Sequence, residues 1–136
     1  MIEVRSDDLI LNFSNVHPDA RFTISFKRTL RLPDNVNLPC VPPTWGQFQL
    51  ASLDDYKGMI PSSWGEHGGI MLTMYQSDAM YLNFSGYRDK KRASPYPFVI
   101  KILSCDINRI IGQNNQSEIQ SPPKDFLYYP IQSWLN

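Results

Sequence analysis

The sequence predicts an α+β fold: mostly antiparallel β-sheet, arranged as a sandwich or half-barrel, with one or two short helices. Three observations carry this. The stretch ARFTISFKRTLRLPD alternates strictly, with Phe22, Ile24, Phe26, Arg28, Leu30 and Leu32 on one face and Thr23, Ser25, Lys27, Thr29 and Arg31 on the other. That is the period-two pattern of a half-buried strand. The stretch IMLTMYQSDAMYLNF reads as two apolar arms about Gln76-Ser77-Asp78, the layout of a hairpin with one face on a core. Along the whole chain, strand-like segments outnumber helical ones.

The elements follow in order. Ile2 to Arg5 and Leu9 to Ser14 read as short strands, and Val16-His17-Pro18-Asp19 as a turn. In the alternating strand Arg28 points with the apolar set. Two readings compete: a side chain that snorkels to the sheet edge, which burial statistics favour, or a buried cation that needs a carboxylate. Residues 33–45 hold four prolines and predict an extended loop anchored by Val41 and Trp45. Phe48 and Leu50 suggest a short strand. Ser52 followed by Asp55 is an acidic capping box, so a helix is expected from about Leu53 to Ile60, stopped by Pro61. Ser62 or Ser63 then caps a turn carrying Trp64, closed by Gly68-Gly69.

In the hairpin, Ile70, Leu72 and Met74 share a face with Met80, Leu82 and Phe84. The opposite face carries Met71, Thr73, Tyr75, Tyr81 and Asn83, half aromatic and half polar. Cross-strand tyrosines stabilise sheets, so this face reads as structural before it reads as a binding surface. FVIKILSCDINRIIG is a central strand, or two strands bent near Ser104-Cys105. DFLYYPIQSWLN supplies a strand at Phe126 to Tyr129. The expected core is Ile24, Phe26, Leu30, Leu72, Met74, Met80, Leu82, Phe84, Val99, Ile100 and Leu103.

The 136 residues suit one domain, large enough to fold without disulfide or metal staples. Thirteen basic and thirteen acidic residues balance, so no long-range field steers the chain to nucleic acid or an anionic membrane. The RDKKR run at 88–92 reads as a solvated tip. For it to bind nucleic acid, Arg21, Lys27, Arg31 or Lys101 would have to join it. No apolar run has the roughly 20 residues of a spanning helix. The N-terminus does not read as a signal peptide, and a cytoplasmic location is expected. Cys40 and Cys105 then read as two thiols rather than a disulfide.

The chemical signals are thin. The two histidines are His17, in a turn and expected at the surface, and His67, beside Glu66 and before Gly68-Gly69. No metal-ligand spacing, phosphate loop or nucleophile elbow occurs, so no metal and no cofactor is expected. Ser77 and Asp78 are ordinary turn residues.

Three stretches carry a resemblance: FKRTLRLPD, GGIMLTMYQSDAMYLNF and DFLYYPIQSWLN. They resemble a family of uncharacterised bacterial proteins. Its members share an R-T-L-R-I/L-P opening, a G-G-hydrophobic-M-Y-Q-x-x-A-M-aromatic-L-x-F segment and a D-Y-L-x-x-P-x-Q-P-W-L-D-G ending. The likeness runs from about Phe26 to Leu135. The ending departs from the pattern at Phe126, Ser133 and Asn136, where the family has tyrosine, proline and aspartate. The family has no assigned activity, so no catalytic residue carries over. Similar proteins continue past the W-L motif, so the resemblance implies an N-terminal domain of a longer protein or a chain cut at a domain boundary.

The balance favours a non-catalytic domain that binds a protein partner or a small molecule. Its site would be the Tyr75, Tyr81 and Asn83 face, or a cleft beside Trp45 and Trp64, where tyrosine and tryptophan supply contact area with a polar handle. The alternative is a small enzyme that gathers Glu66 and His67 beside Tyr75 and Asp78 at the hairpin mouth.

Overall fold

The computed structural model describes residues 1–31, 43–89 and 94–131. Leu32, Cys40, Val41, Lys90, Lys91, Arg92 and the closing Trp134-Leu135, all invoked above, lie outside these residues.

The chain opens with a hairpin of β1 (Ile2–Arg5) and β2 (Asp8–Asn12). Ser6 and Asp7 connect them at φ 51° and 63°. Two left-handed residues give a turn whose twist matches the strands and fixes their register, placing Arg5 opposite Asp8 and Glu3 opposite Ile10. After a turn over residues 13–20 comes β3 (Arg21–Leu30), antiparallel to β2. The next elements are β4 (Leu50–Ser52), a 3-10 turn (Leu53–Tyr56), the helix α1 (Ser62–His67), β5 (Ile70–Leu72) and β6 (Asp78–Gly86). The last third carries β7 (Phe98–Ile100), β8 (Leu103–Ser104), β9 (Ile107–Asn108), β10 (Gln113–Asn114) and β11 (Leu127–Tyr129).

The largest sheet runs β1-β2-β3-β6, and smaller ones are β4-β5, β11-β7 and β10-β9-β8. All pairings are antiparallel. The strand-rich expectation therefore holds, but the sheets do not close into a barrel.

The expected hairpin is absent. β5 pairs with β4, while β6 pairs with β3 from Phe22 opposite Gly86 to Leu30 opposite Asp78. Alternation reports which residues share a face, not which strand lies alongside, and the ten-residue β3 gives β6 a full-length partner. Two further expectations shift. The helix over 53–60 stops after one 3-10 turn, because Lys57 is extended and Gly58 sits at φ 93°. Ser52 still caps it, its Oγ accepting from the Asp54 amide. The turn at Trp64 is α1, closed by Gly68 at φ 65°, but no serine side chain caps its start. FVIKILSCDINRIIG takes its bent form, β8 and β9 reversing at Cys105 and Asp106, both at positive φ. Cys105 is a free, exposed thiol.

The core is smaller than expected and displaced toward one end of β3 and β6. Phe22, Phe84, Leu127 and Tyr129 are buried together, with Ile24, Leu82 and Ile100 half-buried around them. The Phe22 ring lies 5.7 Å from that of Phe84 and meets Tyr129 edge-on at 5.3 Å. The covering pair β7-β11 is only three residues long, so it reaches only part of the β3-β6 face. Leu30 and Met80, expected in the core, are exposed for that reason. Val99, also expected there, is exposed because it alternates with Phe98 and Ile100 and points away from the core, opposite exposed Tyr128. Met74 and Leu103, expected in the core but off this face, are exposed too, and Phe26 and Leu72 are half-buried. Tyr129 also fixes the end of β6: its hydroxyl accepts from the Gly86 amide at 2.7 Å.

A polar latch secures the loop before β11. The Asp125 carboxylate, 1% exposed, lies 2.7 Å from Lys101 Nζ and accepts from the Gln120 amide. Lys101 also donates to the carbonyls of Gln116 and Glu118, and buried Asn108 donates to the Asp125 carbonyl. Burial pushes the Asp125 pKa up, but the Lys101 and Gln120 hydrogen bonds outweigh it and hold the carboxyl below its ordinary range.

Candidate functional site

The seven sequence-derived site residues separate into three places. Tyr75 packs on Arg28, and the Trp45 backbone pairs with the same residue. Tyr81 and Asn83 lie on the opposite face of the main sheet. Trp64, Glu66 and His67 sit together on α1, all exposed.

Around Arg28 the geometry is specific. Arg28 Nε and Nη2 donate to the two carboxylate oxygens of Asp78 at 3.0 and 3.2 Å. Such a forked pair adds directional definition to charge attraction. Arg28 is therefore a paired cation rather than a snorkelling one, and its partner lies fifty residues along the chain. The guanidinium also stands 5.9 Å from the Phe48 ring and 5.5 Å from the Tyr75 ring, within cation–π range. Asp78 accepts from the Tyr75 amide as well. The Arg28 hydrogen bond, opposed by burial and helped by Tyr75, holds the Asp78 carboxyl below its ordinary range.

The backbone brings Trp45 to the same spot. Arg28 donates its amide to the Gly46 carbonyl and accepts from the Trp45 amide. Two residues opposing one is a β-bulge, and Gly46 at φ 109° supplies the required backbone. Thr44 braces the segment by donating to the carbonyls of Arg28 and Gly46. Tyr75 (65% exposed) lies over the ion pair, and Trp45 (62%) is exposed on the segment bonded to the Arg28 backbone. Met80 lies opposite Arg28 and Leu30 opposite Asp78, and both are exposed.

The enzyme constellation does not assemble in this way. Asp78 is engaged by Arg28 and Tyr75, and Glu66-His67 belong to a helix rather than a loop at a hairpin mouth. The His67 ring bonds to the Ser63 carbonyl within that helix at 2.7 Å. No contact joins His67 to Asp78 among the described residues. His17 is half-buried rather than a surface residue. Its Nδ1 accepts from the Asp19 amide, and its ring stacks on Tyr96 at 5.1 Å. Among the described residues, no three His, Cys, Asp or Glu side chains gather as metal ligands do. Among the described residues no helix is long and apolar enough to cross a membrane.

The opposite face of the sheet is polar and open. Lys27 stands opposite Tyr81 and Ser25 opposite Asn83. Ser25 and Thr29 are buried, and Thr29 donates to the Pro43 carbonyl. Lys27 donates to Gln47, which donates to Asp8. Next to Asn83 the face dips into a groove of about 270 Å³ lined by Glu3, Arg5, Arg21, Thr23, Ser85 and Tyr87, among others. Sequence reading missed this groove because its residues come from three segments. The signal that could have found it is the two-residue connection at Ser6-Asp7, which sets the register of the hairpin.

No protein-family model, no curated protein and no solved structure matches the chain.

Proposed function

We propose that this chain is a non-catalytic interaction domain that presents the aromatic cluster around Arg28 to another protein. One observation carries the reading: Trp45, Tyr75, Met80 and Leu30 are exposed around a forked Arg28–Asp78 pair. Aromatic residues, methionine and arginine are the types enriched where protein interfaces concentrate their binding energy. The ion pair and the Gly46 bulge hold these residues in place before any partner arrives, which lowers the ordering cost of association. The likeness to the uncharacterised bacterial family is part of this proposal, and it supplies no activity that competes with it.

The test is photo-crosslinking. A photoreactive phenylalanine analogue replaces Tyr75 in one protein and exposed Tyr56 in a control. The expected outcome is a defined crosslinked protein at Tyr75, absent at Tyr56 and lost when Trp45→Ala is added. Trp45 is exposed, so that change should cost less than about 0.5 kcal/mol of stability. Crosslinks that are equal at both positions and indifferent to Trp45 would remove the proposal.

A further inference from the structure

The polar groove lies on the face of the main sheet opposite Arg28, so its role stands apart from the protein-interaction reading. Strand pairing sets its residues on a grid. One row is Arg5, Asp8, Ser25 and Asn83. The next is Glu3, Ile10, Thr23 and Ser85, and the third brings Asn12 opposite Arg21, beside Tyr87, whose amide donates to the Arg21 carbonyl. Successive side chains alternate between the faces of a strand, so all three rows point the same way.

Arg5 and Arg21 stand at opposite corners of this grid. From strand and residue spacings their Cα atoms are about 17 Å apart, and both side chains line the one groove between them. Among the described residues neither has a carboxylate at ion-pair distance. Asp8, directly across from Arg5, is taken by Gln47. The Arg21 guanidinium lies over the Tyr87 ring at 5.3 Å, which steadies its planar fork without satisfying its charge. The middle row adds the Glu3 carboxylate, Ile10 and the hydroxyls of Thr23 and Ser85, and Asn12 adds an amide in the third row.

Two guanidiniums flanking a middle row of Glu3, Ile10, Thr23 and Ser85 suit a ligand with one strongly anionic group and several hydroxyls. From this we infer that the groove is a binding site for a small sugar phosphate. A phosphomonoester carries close to two negative charges at neutral pH, and guanidinium forks match its oxygens. The sugar hydroxyls would exchange hydrogen bonds with Thr23, Ser85, Asn12 and Glu3. The volume is at the small end for ligand sites, which fits a monosaccharide rather than a chain.

The experiment is an amide-resolved NMR titration of the whole chain with glucose phosphorylated on its primary hydroxyl, run beside free glucose and inorganic phosphate at low ionic strength. The expected result is saturable shifts at Ile10, Thr23, Ser85 and Tyr87, with the two half-ligands binding at least roughly tenfold more weakly. Arg5→Gln and Arg21→Gln should each weaken binding roughly tenfold or more, the scale of a lost charged hydrogen bond. Both side chains are exposed, so the variants' amide spectra should stay native. Three results would overturn the assignment. One is the absence of saturable shifts at millimolar ligand. Another is affinity unchanged in both arginine variants. The third is inorganic phosphate binding as tightly as the sugar phosphate. None of them bears on the Arg28 surface.

Discussion

The two ends of the β3–β6 pair share one face and have opposite characters. At one end Phe22 and Phe84 are sealed under Leu127 and Tyr129. At the other, Arg28 and Asp78 form an ion pair among exposed Trp45, Tyr75, Met80 and Leu30. Both ends contribute apolar residues in the same alternation. What differs is the cover: β7-β11 is three residues long and spans only the Phe22 end. Burial along a strand is therefore set by the element packed on it and not by the strand's own pattern. The other end, where among the described residues Arg28 rests on buried Phe48, holds its charged pair in place with directed hydrogen bonds.

This contrast can be broken most forcefully at its covered end. Phe22→Ala removes a ring that touches Phe84, Phe98 and Tyr129, and should cost about 3–5 kcal/mol in urea unfolding. A loss below about 1 kcal/mol would mean that the core is not centred there. The closure of the same end is sharpened by Gly86→Ala. A Cβ at Gly86 would stand 2.6 Å from Tyr129 Cε1, so the ring must move and its hydrogen bond to the Gly86 amide must lengthen. A destabilisation of about 1–3 kcal/mol is expected, and Tyr129→Leu in the same background should make the added methyl group better tolerated.

Acid compares the two carboxylates, Asp78 at the open end and Asp125 in the latch. Both have folded pKa values below the unfolded one, about 3.9. Between those values the unfolded chain binds more protons, so each carboxylate's contribution is complete above the unfolded pKa and lost as pH falls through the folded one. Stability should drop below about pH 4. Asp125→Asn and Asp78→Asn should each flatten that drop, because each removes a carboxylate whose folded pKa is lowered. Urea midpoints measured at neutral and acid pH decide it, and equal acid slopes in all three proteins would contradict the assignment.

Much of the local structure was legible in the sequence. Strict alternation marked β3, the Ser52 cap marked the turn after β4, and Gly68-Gly69 marked the end of α1. Arg28 was visible as an anomaly in an apolar series. Its resolution was not, because Asp78 reaches it only through the β3–β6 register. The pairing of residues 70–84 failed for a related reason. Ile70–Leu72 and Met80–Phe84 each carry a sound strand pattern, but each satisfies its backbone against a strand remote from the other. Of the seven candidate site residues, Trp45 and Tyr75 both touch Arg28, one through its backbone and one through its ring, Tyr81 and Asn83 were left beside a groove, and the α1 group stayed apart.

By itself the sequence determined a β-rich chain, the faces of its longest strand, its turns and the absence of a strong net charge. These depend on residue type and on spacings of a few positions. Tertiary structure decided which strands are neighbours, which end of the sheet is covered, where Arg28 finds its carboxylate and which arginines line the groove. Those outcomes depend on contacts between residues far apart in the chain, and alternation along a single strand carries no record of them.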